Sequence, residues 1–245
     1  MYVHRTAPAP DTLALHCSLA RHEALLPLVQ AAGLEAVMPD LLGHGRSPDW
    51  DGQGDYQSAN VDALLPLIDR PMHLLGHSFG GTLALRIAVE RPDLVTRLTL
   101  IEPVFFAVAR GHPGFARHVG DFTPIRDAVA AGALEDAAWL FHEAYGMGDW
   151  DSLPAPMRRS FAKRMPLVTA AAPAIQDDIH GLIPRLGAVT MPVTLIRGSL
   201  SQPVIAEIHD GLLAALPDAT DHVISGAGHM APITHLAKVA AVLRP

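Results

Sequence analysis

Residues 72–89 constrain the fold of this chain more tightly than any other stretch. The apolar run Met72-His73-Leu74-Leu75 leads into Gly76-His77-Ser78-Phe79-Gly80-Gly81, and Thr82-Leu83-Ala84-Leu85-Arg86-Ile87-Ala88-Val89 continues with helical spacing. That order predicts a strand, a tight turn and a helix, with Ser78 at the apex of the turn. A serine held there needs glycine two places before and two places after, because a Cβ at either would strike the crossing backbone. Gly76 and Gly80 fill both places, and Gly81 leaves room for the helix to pack on a sheet. The turn lifts the Ser78 hydroxyl out of the sheet. It aims the hydroxyl, with the Phe79 N–H, at a helix N-terminus, where negative charge is favoured. A bare Gly-x-Ser-x-Gly string carries little weight; between an apolar strand and an amphipathic helix it is specific.

The rest of the chain can support a large core around that turn. Of 245 residues, 49% are hydrophobic, so a full interior needs neither disulfide nor metal. Eighteen Lys and Arg stand against 25 Asp and Glu, with no strongly basic run, which argues against nucleic acid or an anionic membrane as partner. Cys17 is the only cysteine, so no internal disulfide can form, which suits a reducing compartment. The first residues have no apolar signal core, and no apolar run approaches membrane-spanning length. A cytoplasmic protein, monomeric or homodimeric, is expected.

Periodicity predicts strands at Thr12–Leu15, 34–39, 72–75, 98–101, 193–197 and 222–224. Helices are predicted over residues 21–32 (interrupted near the start by Pro27), 60–69, 203–216 and 232–243. Residues 1–11, with Pro8 and Pro10, hold at best a short edge strand. Strands alternating with helices at this spacing imply a mostly parallel, doubly wound α/β sheet covered on both faces. Between 104 and 187 the rhythm changes to helical patches carrying most of the aromatics. The organisation expected is a core of residues 1–103 and 188–245, with 104–187 as a helical lid inserted after the strand ending at Glu102.

The sequence resembles the α/β-hydrolase superfamily over most of its length, on four features in order. These are a strand ending in His16, the loop Asp40-Leu41-Leu42-Gly43-His44-Gly45-Arg46-Ser47, the turn at Ser78, and Gly226-Ala227-Gly228-His229 near the C-terminus. The subgroup most alike is the small, lidded, cofactor-free esterases, lactonases and carbon–carbon bond hydrolases. The resemblance implies acyl transfer through a serine ester on a small-molecule substrate. It implies Ser78 as nucleophile and His229 as general base. Backbone N–H groups of Phe79 and of Ser18 or Cys17 would form the oxyanion hole.

Three departures stand out. Only eleven residues precede Thr12, where relatives spend twenty or more, so one leading strand is expected to be missing. Cys17 replaces the usual glycine after the histidine and reads best as a small buried hydrophobe. Relatives carry the triad acid three residues past the glycine that here is Gly198, but that place holds Ser201, and Ser199–Pro203 contains no carboxylate. Glu102, at the end of the preceding strand, is the alternative acid; a triad without a carboxylate, completed by Ser201 or water, is the other. Glu207 should lie within the following helix and point elsewhere.

The remaining candidates are weaker. His77 is expected to pack under the turn, and His16 to bond loop backbone near the oxyanion hole. The histidines show no metal-ligand spacing, so no metal and no cofactor are expected. Phe106, Trp139, Phe141, Tyr145 and Met230 are expected to line an apolar substrate pocket. Arg158, Arg159, Lys163 and Arg164 read as a solvated helix face rather than a carboxylate or phosphate site. Three functions stay open: cleavage of a carboxylic ester or lactone, cleavage of a carbon–carbon bond in a diketone-type molecule, and ligand binding with weakened catalysis.

Overall fold

The computed structural model describes residues 1–244. Pro245, the last residue of the expected segment 188–245, lies outside the described residues. Among the described residues seven strands form one sheet: β1 (Val3–Arg5), β2 (Thr12–Leu15), β3 (Ala36–Pro39), β4 (Met72–His77), β5 (Val95–Ile101), β6 (Val193–Gly198) and β7 (Ala219–Ile224). Their order is β1-β3-β2-β4-β5-β6-β7. Only β1 runs antiparallel, paired to β3 with Val3 opposite Pro39. The central strands are buried along their length, as a parallel sheet covered on both faces requires.

Helices cover both faces. On one side α1 (Leu26–Ala32) and α8 (Leu236–Leu243) pack with Ala14, Met38, Leu75, Ile101 and Ile196. On the other, α2 (Tyr56–Leu64), α3 (Phe79–Glu90) and α7 (Pro203–Ala215) pack with Leu13, Leu15, Leu74, Leu98 and Leu100. Successive residues of each strand thus serve opposite cores, the period-two alternation of a sheet.

Several boundaries differ from the sequence-based expectation; β5 begins at Val95 rather than 98, and the helix expected over 21–32 is α-helical only from Leu26. The helix expected over 60–69 begins four residues earlier, because the Asp55 carboxylate caps it by accepting from the Ser58 N–H at 2.7 Å. Its last turn tightens to a 3-10 form over Leu65–Leu67, where Pro66 forbids α continuation. Strand β7 begins at Ala219 rather than 222. Its polar residues hide it from an apolar-run criterion, but an edge strand needs a partner on one side only, and β6 supplies it from Val193 opposite Ala219.

Between β5 and β6 come α4 (Pro113–Ala130), α5 (Leu134–Tyr145) and α6 (Ala155–Gln176). They share a small core of their own around Phe122, Ile125, Ala138, Trp150, Ala162 and Met165. The C-terminal half of α6 leaves that cluster and enters the main core through Ala171, Ala174 and Ile175. The segment is therefore tied to the sheet by packing rather than hung from it by linkers.

Register sets the site. Gly76 and His77 of β4 lie opposite Leu100 and Ile101 of β5, and Ile101 lies opposite Ile196 of β6. Ser78 and Glu102, each one residue past its strand, thus emerge side by side, with Ser78 N–H donating to the Ile101 carbonyl at 2.9 Å. A Cβ built on Gly76 would meet backbone of the following helix, with the Gly81 Cα at 2.6 Å. Gly76→Ala should therefore cost about 3 kcal/mol or more, as backbone cannot step aside cheaply. Urea denaturation would measure it, and a loss below about 1 kcal/mol would show that the turn relaxes.

Candidate active site

Ser78 adopts φ 55° and Glu102 φ 49°, both in the positive-φ region that non-glycine residues avoid. Two such residues at neighbouring strand ends mark a place where local strain is held by its surroundings. The Ser78 hydroxyl lies 2.9 Å from His229 Nε2, and His229 Nδ1 lies 3.1 Å from Glu102 Oε2. His229 comes from the loop after β7. His77 pins that loop, with Nε2 at 3.0 Å from the His229 carbonyl; burial lowers the His77 pKa to about 3, so the ring is neutral and donates there.

Glu102 is fully buried. Burial alone would raise its pKa, yet bonds to its charged form outweigh it and hold the carboxyl below its ordinary range. Oε2 faces His229, while Oε1 accepts from the Gly198 N–H at 2.6 Å and from the Ser201 hydroxyl at 2.5 Å. Ser201, at the position where relatives carry an acid, thus supports the carboxylate arriving from the neighbouring strand. Glu207 is elsewhere: it caps α4, accepting from the Gly114 and Phe115 N–H groups at 2.7 and 2.9 Å.

The loop after β2 is held with similar care. The His16 ring lies 2.7 Å from the Cys17 carbonyl through Nδ1, and its Nε2 accepts from the Leu41 N–H at 3.0 Å. The second bond makes Nδ1 the protonated nitrogen. Because the peptide is planar and trans, fixing the Cys17 carbonyl on His16 turns the Ser18 N–H to the opposite side. The next N–H, of Leu19, is taken by His44 Nε2 at 3.0 Å. Cys17 is buried, and that burial pushes its thiol up to about 12, so it stays an uncharged filler. Beneath the loop Asp40 accepts from the His22 and Arg46 N–H groups, while His22 Nδ1 stands 2.8 Å from it. His22, Glu23 and Asp40 bring potential ligand atoms within 4.8 Å of one another, but these bonds already use the Asp40 oxygens.

Ser78 and His229 line two spaces that also share Ser18, Phe141 and Tyr145. The larger, about 830 Å³, is walled by Phe141, Tyr145, Met147, Leu153, Met157, Phe161, Arg164, Met230 and Ile233, with Cys17 and Ser18 at its base. The smaller, about 30 Å³, is lined by Phe79, Val104, Phe106, Phe122, Val168 and Ile175. Phe141, Tyr145, Met230 and Phe106 therefore reach the site. Trp139 does not: it is 46% exposed and lines neither space. On α5, Phe141 and Tyr145 are one turn apart and face inward, while Trp139, two residues before Phe141, falls about 200° around the helix. Arg164, read from the sequence as part of a solvated face, is half-buried in the cavity wall.

The sequence matches the family described as the α/β hydrolase fold over residues 14–236. The chain belongs to the α/β-hydrolase family. Among its relatives is the lipase LipV of Mycobacterium tuberculosis, 32% identical, with 92% of this chain and 85% of that protein covered. Another is a 2-hydroxy-6-oxononadienedioate/2-hydroxy-6-oxononatrienedioate hydrolase of Paraburkholderia xenovorans, 26% identical over 86% of this chain and 75% of that one. Among solved structures, MenH from S. aureus superposes with a TM-score of 0.74 at 16% identity, covering 99% of this chain and 95% of the other, a likeness of fold. This α/β hydrolase is an enzyme, and no helix among its described residues is long and apolar enough to cross a membrane.

Two outcomes follow from the geometry. Glu102→Gln should destabilise the fold by about 2 kcal/mol at pH 7, since it removes a buried charge with three partners. A depressed folded-state pKa contributes stability above the unfolded value and loses it as pH falls through the folded value. The gap between variant and wild type in denaturation should thus be full above about pH 5 and shrink progressively as pH falls below the ordinary glutamate range. Trp139→Ala should leave KM for any small substrate within about twofold, whereas Phe141→Ala should raise it, as steady-state kinetics on one ester would show.

Proposed function

We propose that this α/β hydrolase cleaves a carboxylic ester or lactone of a mainly apolar small molecule through an acyl-enzyme on Ser78. The observation that carries the reading is the unbroken chain from the Ser78 hydroxyl through His229 to the buried Glu102. Nε2 of His229 takes the serine proton as Oγ attacks the carbonyl, and later returns it to the leaving alcohol. Glu102 holds the proton on Nδ1, keeping Nε2 free as acceptor, and stabilises the imidazolium that forms. The oxyanion is received by the Phe79 N–H, at the start of α3, and by the Ser18 N–H, which the His16–Cys17 bond turns away from the imidazole. Water, activated by the same imidazole, then releases the acid. Helices α5 and α6 act as the lid, supplying the apolar wall that excludes bulk water.

A binding-only reading would rest on the lack of a carboxylate at Ser199–Pro203 after β6. It loses force once Glu102 faces His229. Carbon–carbon cleavage keeps a specific support in the Paraburkholderia relative. A panel of activated esters and ring-fission diketones separates the two, and diketone turnover with negligible ester turnover would favour the second.

A fluorophosphonate probe should label the wild-type protein and leave Ser78→Ala unlabelled; identical labelling of both would sink the serine mechanism. Glu102→Gln should lower kcat by about 10⁴, the scale for losing the acid that orients a catalytic histidine. A fall of less than about tenfold would mean that Ser78 and His229 act as a dyad.

A further inference from the structure

The wall of the large cavity carries a cation that the protein does not neutralise. Arg164 lies on α6, half-buried, and lines the same space as Ser78 and His229. Its Nε donates to the Gly43 carbonyl at 2.9 Å. Its Nη1 donates to the Ser160 carbonyl at 2.9 Å and also to the Ser160 hydroxyl. These bonds occupy the Nε hydrogen and both Nη1 hydrogens, and every acceptor is uncharged. Of the five N–H donors on a guanidinium, the two on Nη2 are left, held in a fixed plane by the other three.

Neighbouring cations are treated differently. Lys163 pairs with Asp49 at 3.5 Å, and Arg158 with Asp151 at 3.3 Å. Among the described residues no carboxylate pairs with Arg164. The other charged groups in the cavity wall are Arg21 and Glu23, which face each other at 3.1 Å, with Arg46 also approaching Glu23 at 4.0 Å. The surroundings are otherwise Met147, Leu153, Met157, Phe161 and Ile233. A guanidinium kept partly out of water, oriented but unpaired, forfeits solvation that an anion would restore. The two free Nη2 hydrogens can give an anionic oxygen a charge-assisted hydrogen bond, which the uncharged acceptors around Arg164 do not supply.

We propose that Arg164 is a specificity-determining residue that binds a carboxylate on the substrate, remote from the bond that breaks. The substrate class is then an ester or lactone whose apolar body ends in a free carboxylate, such as a half-ester of a dicarboxylic acid. The proposal rests on the serine-hydrolase reading for the reaction, but the recognition itself does not depend on turnover.

Two chromogenic esters test it: the 4-nitrophenyl half-ester of adipic acid, which ends in a carboxylate, and 4-nitrophenyl hexanoate, which ends in a methyl group. For the wild type, the ratio of kcat/KM for the charged over the neutral ester should fall by about 10–100-fold in Arg164→Gln, the range for a hydrogen bond to a charged group. The loss should appear in KM rather than kcat, and Arg164→Lys should recover part of it. An unchanged ratio would overturn the proposal, whether both esters fall equally, which would leave Arg164 a purely structural role on Gly43 and Ser160, or neither falls. If the wild type turns over neither ester and takes no fluorophosphonate, the serine-hydrolase reading fails on its own account. Calorimetric titration with adipate then decides recognition separately: saturable binding lost in Arg164→Gln supports it, and no binding to the wild type overturns it.

Discussion

The site depends on how closely backbone approaches backbone beneath Ser78. A Cβ on Gly80 would meet the His16 carbonyl at 2.5 Å, and one on Gly76 would meet the start of α3. Without those two hydrogens-for-side-chain positions the helix could not begin so near the sheet, and Ser78 could not hold its positive φ. Everything that faces the hydroxyl is referred to that contact. His16, whose carbonyl touches Gly80, also bonds the Cys17 carbonyl, so the elbow and the loop opposite it are positioned by one residue.

A second constraint comes from the parallel sheet. Adjacent parallel strands end at the same edge, roughly 4.8 Å apart, so a residue just past one strand can replace a residue just past the next. That is how Glu102, following β5, reaches the imidazole that relatives serve from beyond β6. The vacated place is not idle: Ser201 and the Gly198 N–H both donate to Glu102. A carboxylate buried as deeply as this one stays ionised only because three donors surround it. Glu102 holds a positive φ in this arrangement while its side chain meets both Gly198 and His229.

Not every element was equally legible in the sequence. The central strands and α3 announce themselves by unbroken apolar runs and helical spacing, since both faces are buried. The polar edge strand β7 and the early start of α2 were harder, because a single partner strand and a single Asp55 cap decide them. Within 104–187 the helices have prolines inside them, at Pro124, Pro166 and Pro173, which blur the periodicity that would otherwise mark their extent. Composition there suggested an aromatic-lined pocket, but could not say which aromatics face it. Trp139 went outward and Phe141 and Tyr145 inward because a helix has one buried face, and its phase is set by what it packs on.

By itself, then, the sequence determined the α/β alternation, the strained turn at Ser78 and the loop bearing His229. All three are local: each follows from residue types a few positions apart, where sterics and hydrogen bonding act within a single turn or strand. Only the tertiary structure decided which side chain meets His229, because Glu102 and Ser201 are both plausible along the chain and differ only in three dimensions. It also took Arg164 off a supposed solvated face and placed it in the cavity wall, against the Gly43 carbonyl. Contacts between residues more than a hundred positions apart have no signature in local spacing. They exist because strand register and helix packing bring those positions to one edge of one sheet.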